Sequence, residues 1–292
     1  MTSQDTTPIT SPAPTRTDDA VDAITTRLAR PRPFPGLYSG NLVAVLERGW
    51  IAIRTQNWVI VVSGFVEPVL YLLAMGIGVG ALVGEVSGPG GRPISYAAYI
   101  APALLATSAM NGALYDSTTN VFFKLNYAKL YQTMLQTALG PLDVALGEIV
   151  LALLRGLLYA VAFLAVMGVM GLATSWWALA MVPAALLIAL GFASVGMAVT
   201  SYMKTFQQLD IIIFVMLPMF LFSATLYPIE VFPAAVQWFV KVLPLWHGVE
   251  MMRHLAVGHL TWATLGHMLY FVGMSAAGVS ATTLRLRQLF LR

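Results

Sequence analysis

The chain has 292 residues, 58% of them hydrophobic and only 10% charged, with a mean hydropathy of +0.77. A soluble domain carries roughly a quarter charged residues, so too little polar sequence is present to cover a water-facing surface, and lipid must solvate most of the chain. A net charge of +3 is too small to point to nucleic acid, and the absence of cysteine excludes disulfides, thiolate metal sites, cysteine nucleophiles and palmitoyl anchors.

Residues 1–33 are rich in Thr, Pro, Ser, Asp and Ala without an apolar run, which reads as a disordered cytosolic tail rather than a signal peptide. Residues 34–292 read as one all-α membrane domain. It opens with an amphipathic helix over 37–56. Leu42, Val45, Leu46, Trp50 and Ile53 share one face of it, while Asn41, Glu47, Arg48 and Arg54 lie mostly elsewhere. This is the pattern of a helix lying on a membrane surface or packed on another protein.

A span needs about 20 mostly apolar residues, and six candidates follow: 58–83, 96–116, 145–171, 176–200, 209–226 and 262–284. With the N-terminus inside, Arg30, Arg32, Arg48, Arg54, Lys124, Lys129, Lys204, Arg285, Arg287 and Arg292 flank the spans on the cytoplasmic side. Only Arg92, Lys241 and Arg253 fall outside. That bias predicts that both termini are cytoplasmic, and it places Trp176, Trp177, Trp238, Trp246 and Trp262 in an aromatic belt at the outer boundary.

The apolar stretch 227–258 is cut by prolines at 228, 233 and 244. Its halves, 229–242 and 245–257, are each roughly 20 Å long as helices, short of the ~30 Å hydrocarbon core. A seventh span here would also put Arg285, Arg287 and Arg292 outside. The expectation is a re-entrant helical hairpin on the outer side, hinged at Leu243-Pro244.

In the inner loop 117–144, Tyr127, Leu130, Tyr131, Met134 and Leu135 recur at helical spacing until Gly140-Pro141. Such an amphipathic helix either lies on lipid or docks into a partner's groove. At membrane depth, Glu67 precedes Pro68, and Glu148 and Arg155 lie two turns apart on one face near the headgroups. Glu67, Tyr71, Asn111, Tyr115 and Phe214 are candidate pathway residues. Glu67 has pairing with Arg155 as an alternative, and Asn111, Tyr115 and Asp116 have hydrogen bonding between helices.

The chemistry of an enzyme is not written here. No P-loop, no H-E-x-x-H and no G-x-S-x-G occurs. Gly76, Gly78 and Gly80 sit inside an apolar span, where Gly76, Gly80 and Gly84 form a small-residue ridge for helix packing. His247, Glu250 and His254 share a helical face, read as an interfacial polar cluster rather than a metal site. No catalytic, metal or cofactor residue is assigned to the chain.

Four segments in order, "VEPVLYLLAMGIGVGALVG", "YAAYIAPALLATSAMNGA", "KLNYAKLYQTMLQTALGPLDVALGEI" and "FLFSATLYPIEVFPAAVQWFVKVLPLWHGVEMMRHLAVG", resemble the membrane subunits of type-2 ABC exporters over about residues 40–290. They resemble most the permeases that export rhizobial lipo-oligosaccharide nodulation factors, and more distantly the daunorubicin-type drug exporters. The resemblance implies a six-span subunit in the bacterial plasma membrane, paired with a second copy or a homologous permease. It would be driven by two cytosolic ATPases carrying ATP and Mg. It also implies that Tyr127, Leu130, Tyr131, Met134 and Leu135 belong to a coupling helix for the ATPase. Tyr227, Pro228, Pro233, Trp238, Pro244, Trp246, His247 and Glu250 would belong to a lid over the outer end of the path. One departure is "FSAT" at 222–225, where the family usually has glycine after the serine. The implied cargo is an amphipathic lipid, a glycolipid or oligosaccharide, or a hydrophobic drug. The rivals are a secondary transporter, which would want matched inverted halves, and a membrane-embedded transferase, which would want carboxylates or a His–Asp set at one depth.

Overall fold

The computed structural model describes residues 38, 40–54, 66, 68–173 and 175–290. The tail 1–33, much of the first expected span and Glu67 lie outside the described residues.

The chain is mostly helical. Its main helices are α1 (Leu42–Arg54), α2 (Pro68–Val83), α3 (Tyr96–Tyr115), α4 (Leu130–Leu135), α5 (Pro141–Val169), α6 (Met181–Thr200), α7 (Leu209–Phe222), α8 (Ala234–Val242), α9 (Pro244–Val257) and α10 (Trp262–Phe290). Gly84, at φ +73, ends α2 and leads into an antiparallel hairpin of β1 (Glu85–Ser87) and β2 (Pro93–Ser95), with Val86 opposite Ile94. The turn between them, Gly88 to Gly91, needs two glycines at positive φ, Gly90 and Gly91.

Among the described residues three helices are long and apolar enough to cross a membrane: α3 with its extension to Tyr127, α5, and α6 with its lead-in from Trp176. α2 and α7 are apolar but shorter. α10 is as long as α5, at 29 residues, yet Thr264, His267, Ser275, Thr282 and Thr283 dilute its hydropathy. All five face protein, so mean hydropathy understates how well this helix suits lipid on its other side.

Local chemistry sets the helix starts. The Ser95 hydroxyl accepts from Ala98 N at 3.3 Å to cap α3. Pro141 occupies the first turn of α5, where Asp143 Oδ2 accepts from Gly140 N at 2.9 Å. Leu243 is extended (φ −68, ψ 130) and separates α8 from α9, and Pro244 opens α9. The expected break at Leu243-Pro244 is therefore present.

α6 is the centre of the bundle, with α3, α5 and α10 around it. α10 presents Thr264, His267, Phe271, Ser275, Gly278, Thr282 and Leu286, a repeat of three and four residues that keeps one seam against its neighbours. A Cβ on Gly278 would lie 2.6 Å from the backbone carbon of Ser194, so the two backbones touch only because the side chain is absent. Gly76 and Gly80 of α2 similarly face Ala97 and Tyr96 at the start of α3, whereas Gly84 serves the turn.

Candidate functional site

At its C-terminal end, α3 runs past Tyr115 through two π-helical turns, Asp116–Asn120 and Phe123–Tyr127. Lys129 then adopts φ +48 and breaks the chain direction before α4. The single helix expected across Tyr127 to Gln136 is thus two, with Tyr127 on the first and Leu130, Tyr131, Met134 and Leu135 on the second. Their direction also needs correction. Tyr131, Met134 and Leu135 are buried and Leu130 is half-buried, so the apolar face turns into the chain's own core. Periodicity reveals which side of a helix is buried but not what buries it. The exposed side carries Tyr127, Gln132, Thr133 and Gln136 instead. The fully buried Tyr131 hydroxyl has no partner among the described residues, and burial together with the nearby Glu148 charge pushes its pKa well above the phenol range.

Glu148 and Arg155 of α5, expected near the headgroups, are both paired within the chain instead. Glu148, with 5% of its side chain exposed, accepts from Arg48 Nη2 of α1 at 3.3 Å and from Lys124 Nζ at the inner end of α3. Arg155 Nη1 pairs with Asp116 Oδ1 at 2.6 Å, which also accepts from Asn120 Nδ2 at 2.7 Å. The reason is the cost of a charge at depth: a nearby opposite charge on another helix neutralises it more completely than a reach to the interface. α1 is correspondingly docked on α5 of its own chain.

The candidate pathway residues that are described do not converge on an internal channel. Tyr71, Asn111, Tyr115 and Phe214 are all exposed on the surface of one chain. Tyr71 of α2 meets Phe220 of α7 edge-on, with centroids 6.4 Å apart. On α3, which is otherwise largely buried, the exposed Asn111 and Tyr115 and the half-buried Ser108 and Gly112 make one stripe of mainly polar character. On α7 only Leu209 and Met219 are buried, and the rest of this helix, apolar apart from the exposed Asp210 in its first turn, is open or half-open. An apolar cleft of about 540 Å³ at the C-terminal end of α5, between Leu164 and Trp176, contains none of these residues.

The stretch 227–258, expected to form an outer hairpin, divides into an open and a buried half. α8 buries only Val240 and exposes Trp238, whereas α9 buries Leu245, Gly248, Val249, Met251, Met252, Arg253, Leu255 and Ala256 against the bundle. Half of the expected lid is therefore core. Tyr227, Pro228, Trp246, His247 and Glu250 are half-buried, and Pro233 is exposed at the start of α8. The Tyr227 hydroxyl donates to Leu221 O at 3.1 Å and its ring meets Phe232 at 5.2 Å. His247 Nδ1 lies 2.8 Å from His267 Nδ1 and its ring stacks on Tyr270 at 4.1 Å, while His254 Nδ1 meets Thr264 Oγ1 at 2.9 Å. Burial lowers the pKa of His247 and of His254. The polar cluster expected on this face is thus present, and among the described residues no group of three or more His, Asp or Glu side chains could hold a metal ion.

One residue that the charge pattern placed in an outer loop is a buried clasp. Arg253, 2% exposed, donates from Nη2 to Ala224 O (2.6 Å) and Thr225 O (3.1 Å), from Nε to Tyr99 O (3.4 Å) and from Nη1 to Glu250 Oε1 (3.0 Å). Its guanidinium carbon sits 3.7 Å from the centre of the Tyr99 ring. It joins α9, the start of α3 and the chain leaving α7. Ala224, whose carbonyl it holds, has φ +55, so the alanine in "FSAT" occupies a backbone conformation that glycine adopts without cost. That substitution was the one sequence signal for this corner.

Comparison with known proteins agrees with this architecture. Residues 40–257 match the family model described as ABC-2 type transporter. Nodulation protein J of Rhizobium leguminosarum bv. trifolii is 31% identical over 75% of this chain and 82% of its own length. Nodulation protein J of R. leguminosarum bv. viciae is 30% identical over 75% of this chain and 83% of its own length. The protein of that name from Sinorhizobium fredii is 31% identical over 73% and 80%. The chain belongs to the ABC-2 type transporter family and is a membrane-embedded transporter permease.

Proposed function

We propose that this chain is the transmembrane half of an ATP-driven exporter that moves an amphipathic lipid, a glycolipid or oligosaccharide, or a hydrophobic drug away from the cytoplasmic side. The chain has six spans with both termini cytoplasmic and lies in a bacterial plasma membrane. It works with a second copy or a homologous permease and with two cytosolic ATPases that carry ATP and Mg. The observation that carries this is the surface of a single chain: α3 leaves Asn111 and Tyr115 open beside the half-buried Ser108, and α7, apolar apart from Asp210 in its first turn, stays open on nearly every side. A polar stripe is a poor face for lipid tails. Covered by a second permease, it would line a path with both polar and apolar walls, which suits an amphipathic cargo better than a small ion. The chain does no bond chemistry and supplies contacts that differ between two states.

The inner loop is the ATPase contact, through the exposed side of α4 rather than its buried apolar side. Purification of the tagged chain from its native membrane, with identification of bound proteins and lipids, tests the whole reading. A stoichiometric partner carrying a P-loop and a retained lipid or glycolipid are expected. Gln132→Arg with Gln136→Arg should remove that partner while membrane insertion is unchanged, because both side chains are exposed. A chain that emerges folded and alone overturns the exporter reading, and undiminished co-purification of the double variant overturns the docking face.

A further inference from the structure

We infer that Glu148 is a positioning residue for energy coupling: it locks α1, the inner end of α3 and the start of α5 into one lever through which a moving ATPase would act on the spans. The inference rests on the transport reading above, and its mechanical part can be tested apart from it.

Three observations carry it. First, each oxygen of this buried carboxylate takes a cation from a different element, Oε1 from Arg48 of α1 and Oε2 from Lys124 at the end of α3. The pairs span 100 and 24 residues of sequence, so the node closes two long loops at one point. Second, the helices beneath the node interlock. Gly49 of α1 leaves room for Leu151 of α5, and Gly147 of α5 leaves room for Val45 of α1; a Cβ at either glycine would overlap the facing side chain. Asn41 Nδ2 donates to Ala138 O at 2.6 Å, fastening the start of α1 to the end of the inner loop. Third, Tyr131 of α4 is fully buried within electrostatic reach of both Glu148 and Arg48, so the helix whose exposed side faces the cytosol sits on the same node. A displacement of α4 cannot be absorbed by α1 sliding over α5, because the interlocked glycines and the shared carboxylate resist it together. Loss of the Glu148 charge would leave two cations facing each other over a closely packed contact.

The chain has no cysteine, so single cysteines introduced for spin labels report cleanly. Labels at Val43 and Thr133, both exposed, measure the α1-to-α4 distance in the full-length permease without the ATPase. One narrow distance is expected in the native background and a broad or divided one in Glu148→Gln. Lys124→Gln, at a partly exposed position, should broaden it as well and guards against a Glu148 variant that fails to insert. A second reading uses labels at the exposed Trp238 in the two permeases of the ATPase complex. Trapping the complex with ATP and vanadate should shift this distance natively. In Glu148→Gln the shift should be lost although the KM for ATP, a property of the other chain, is unchanged. A merely structural role would lower the yield of folded protein without separating hydrolysis from movement. An unchanged narrow Val43–Thr133 distance in both variants, or a retained outer shift in Glu148→Gln, overturns the inference. Failure of the native chain to bind any ATPase refutes the exporter reading instead, and the first distance still decides whether the lock exists.

Discussion

Replacing Arg253 by methionine keeps much of its volume and removes every interaction of its guanidinium. Ala224 O and Thr225 O then lose the donor placed on them, and a buried acceptor left unpaired costs about 1–3 kcal/mol. The stacked Tyr99 ring loses a cation contact of about 1–2 kcal/mol. Glu250 contributes less, because 24% of its side chain is exposed and water can replace part of its partner. These losses share one side chain and do not add in full. The expected total is about 3–5 kcal/mol, the range for breaking a buried charged contact. At roughly 2–4 °C per kcal/mol for a chain of this size, the midpoint of thermal unfolding in detergent should fall by ~6–20 °C. Arg253→Lys keeps the charge but not the planar fork, and it should lie between the two. Hydrogen exchange across 223–227 should rise in the same order. A fall of less than about 2 °C for Arg253→Met, under 1 kcal/mol by that conversion, would refute the reasoning, since those carbonyls would then have found other donors.

Two further perturbations probe the packing and the outer histidines. Gly278→Ala places a methyl group 2.6 Å from the Ser194 backbone, which cannot rotate away; a loss of about 1–3 kcal/mol is expected from overpacking, read as a lower unfolding midpoint, whereas Gly273→Ala, with open space around it, should be near neutral. For the histidines the sign follows from burial. His247 and His254 have folded pKa values below 6.5, so they favour the unfolded chain once protons are available. Their contribution to stability is complete above about pH 6.5 and is lost as pH falls through the lowered folded values. The 2.8 Å contact between His247 Nδ1 and His267 Nδ1 has room for one proton, so full protonation of both rings breaks it. The unfolding midpoint should be level between pH 8 and about 7 and drop toward pH 5, and His247→Gln should flatten that drop. A midpoint that is independent of pH in the native chain would refute it.

Much of the architecture was legible in the sequence because membrane helices are long, apolar and punctuated. Gly140-Pro141 marks the start of α5 and Leu243-Pro244 marks the break between α8 and α9 because proline fits a first turn and little else in a helix. The inner loop was harder. The spacing of Tyr131, Met134 and Leu135 identified a helix with one apolar side, but that side is covered by the chain itself. The break at Lys129 could not be read, since a lysine at positive φ carries no signal. The β1–β2 hairpin escaped for the opposite reason: its strands are three residues each, too short for alternation to show. The charges were assigned the wrong partners. Arg48, Lys124 and Glu148 meet only after three elements have packed, and Arg253 binds backbone carbonyls that no residue type announces.

The placement of those charges bears on how such a chain can move. Around the first half of α5 Glu148 and Asp116 are neutralised by cations from other helices, and within α9 a single arginine gathers three carbonyls and a carboxylate. Each lock joins elements distant in sequence, and each would cost several kcal/mol to break. Between them the stripe on α3 is polar yet uncharged, and beyond Asp210 in its first turn α7 offers only dispersion and hydrophobic contact to whatever lies beside it. Such contacts are non-directional and can be exchanged one for another at little net cost. The parts free to rearrange are therefore the faces of α3 and α7, and the locks at either end let them do so as rigid bodies. Ala224 marks the outer limit of that freedom. A non-glycine residue at φ +55 costs about 1–2 kcal/mol, and it persists because Arg253 holds its carbonyl, so the end of α7 is fixed even though its length is exposed.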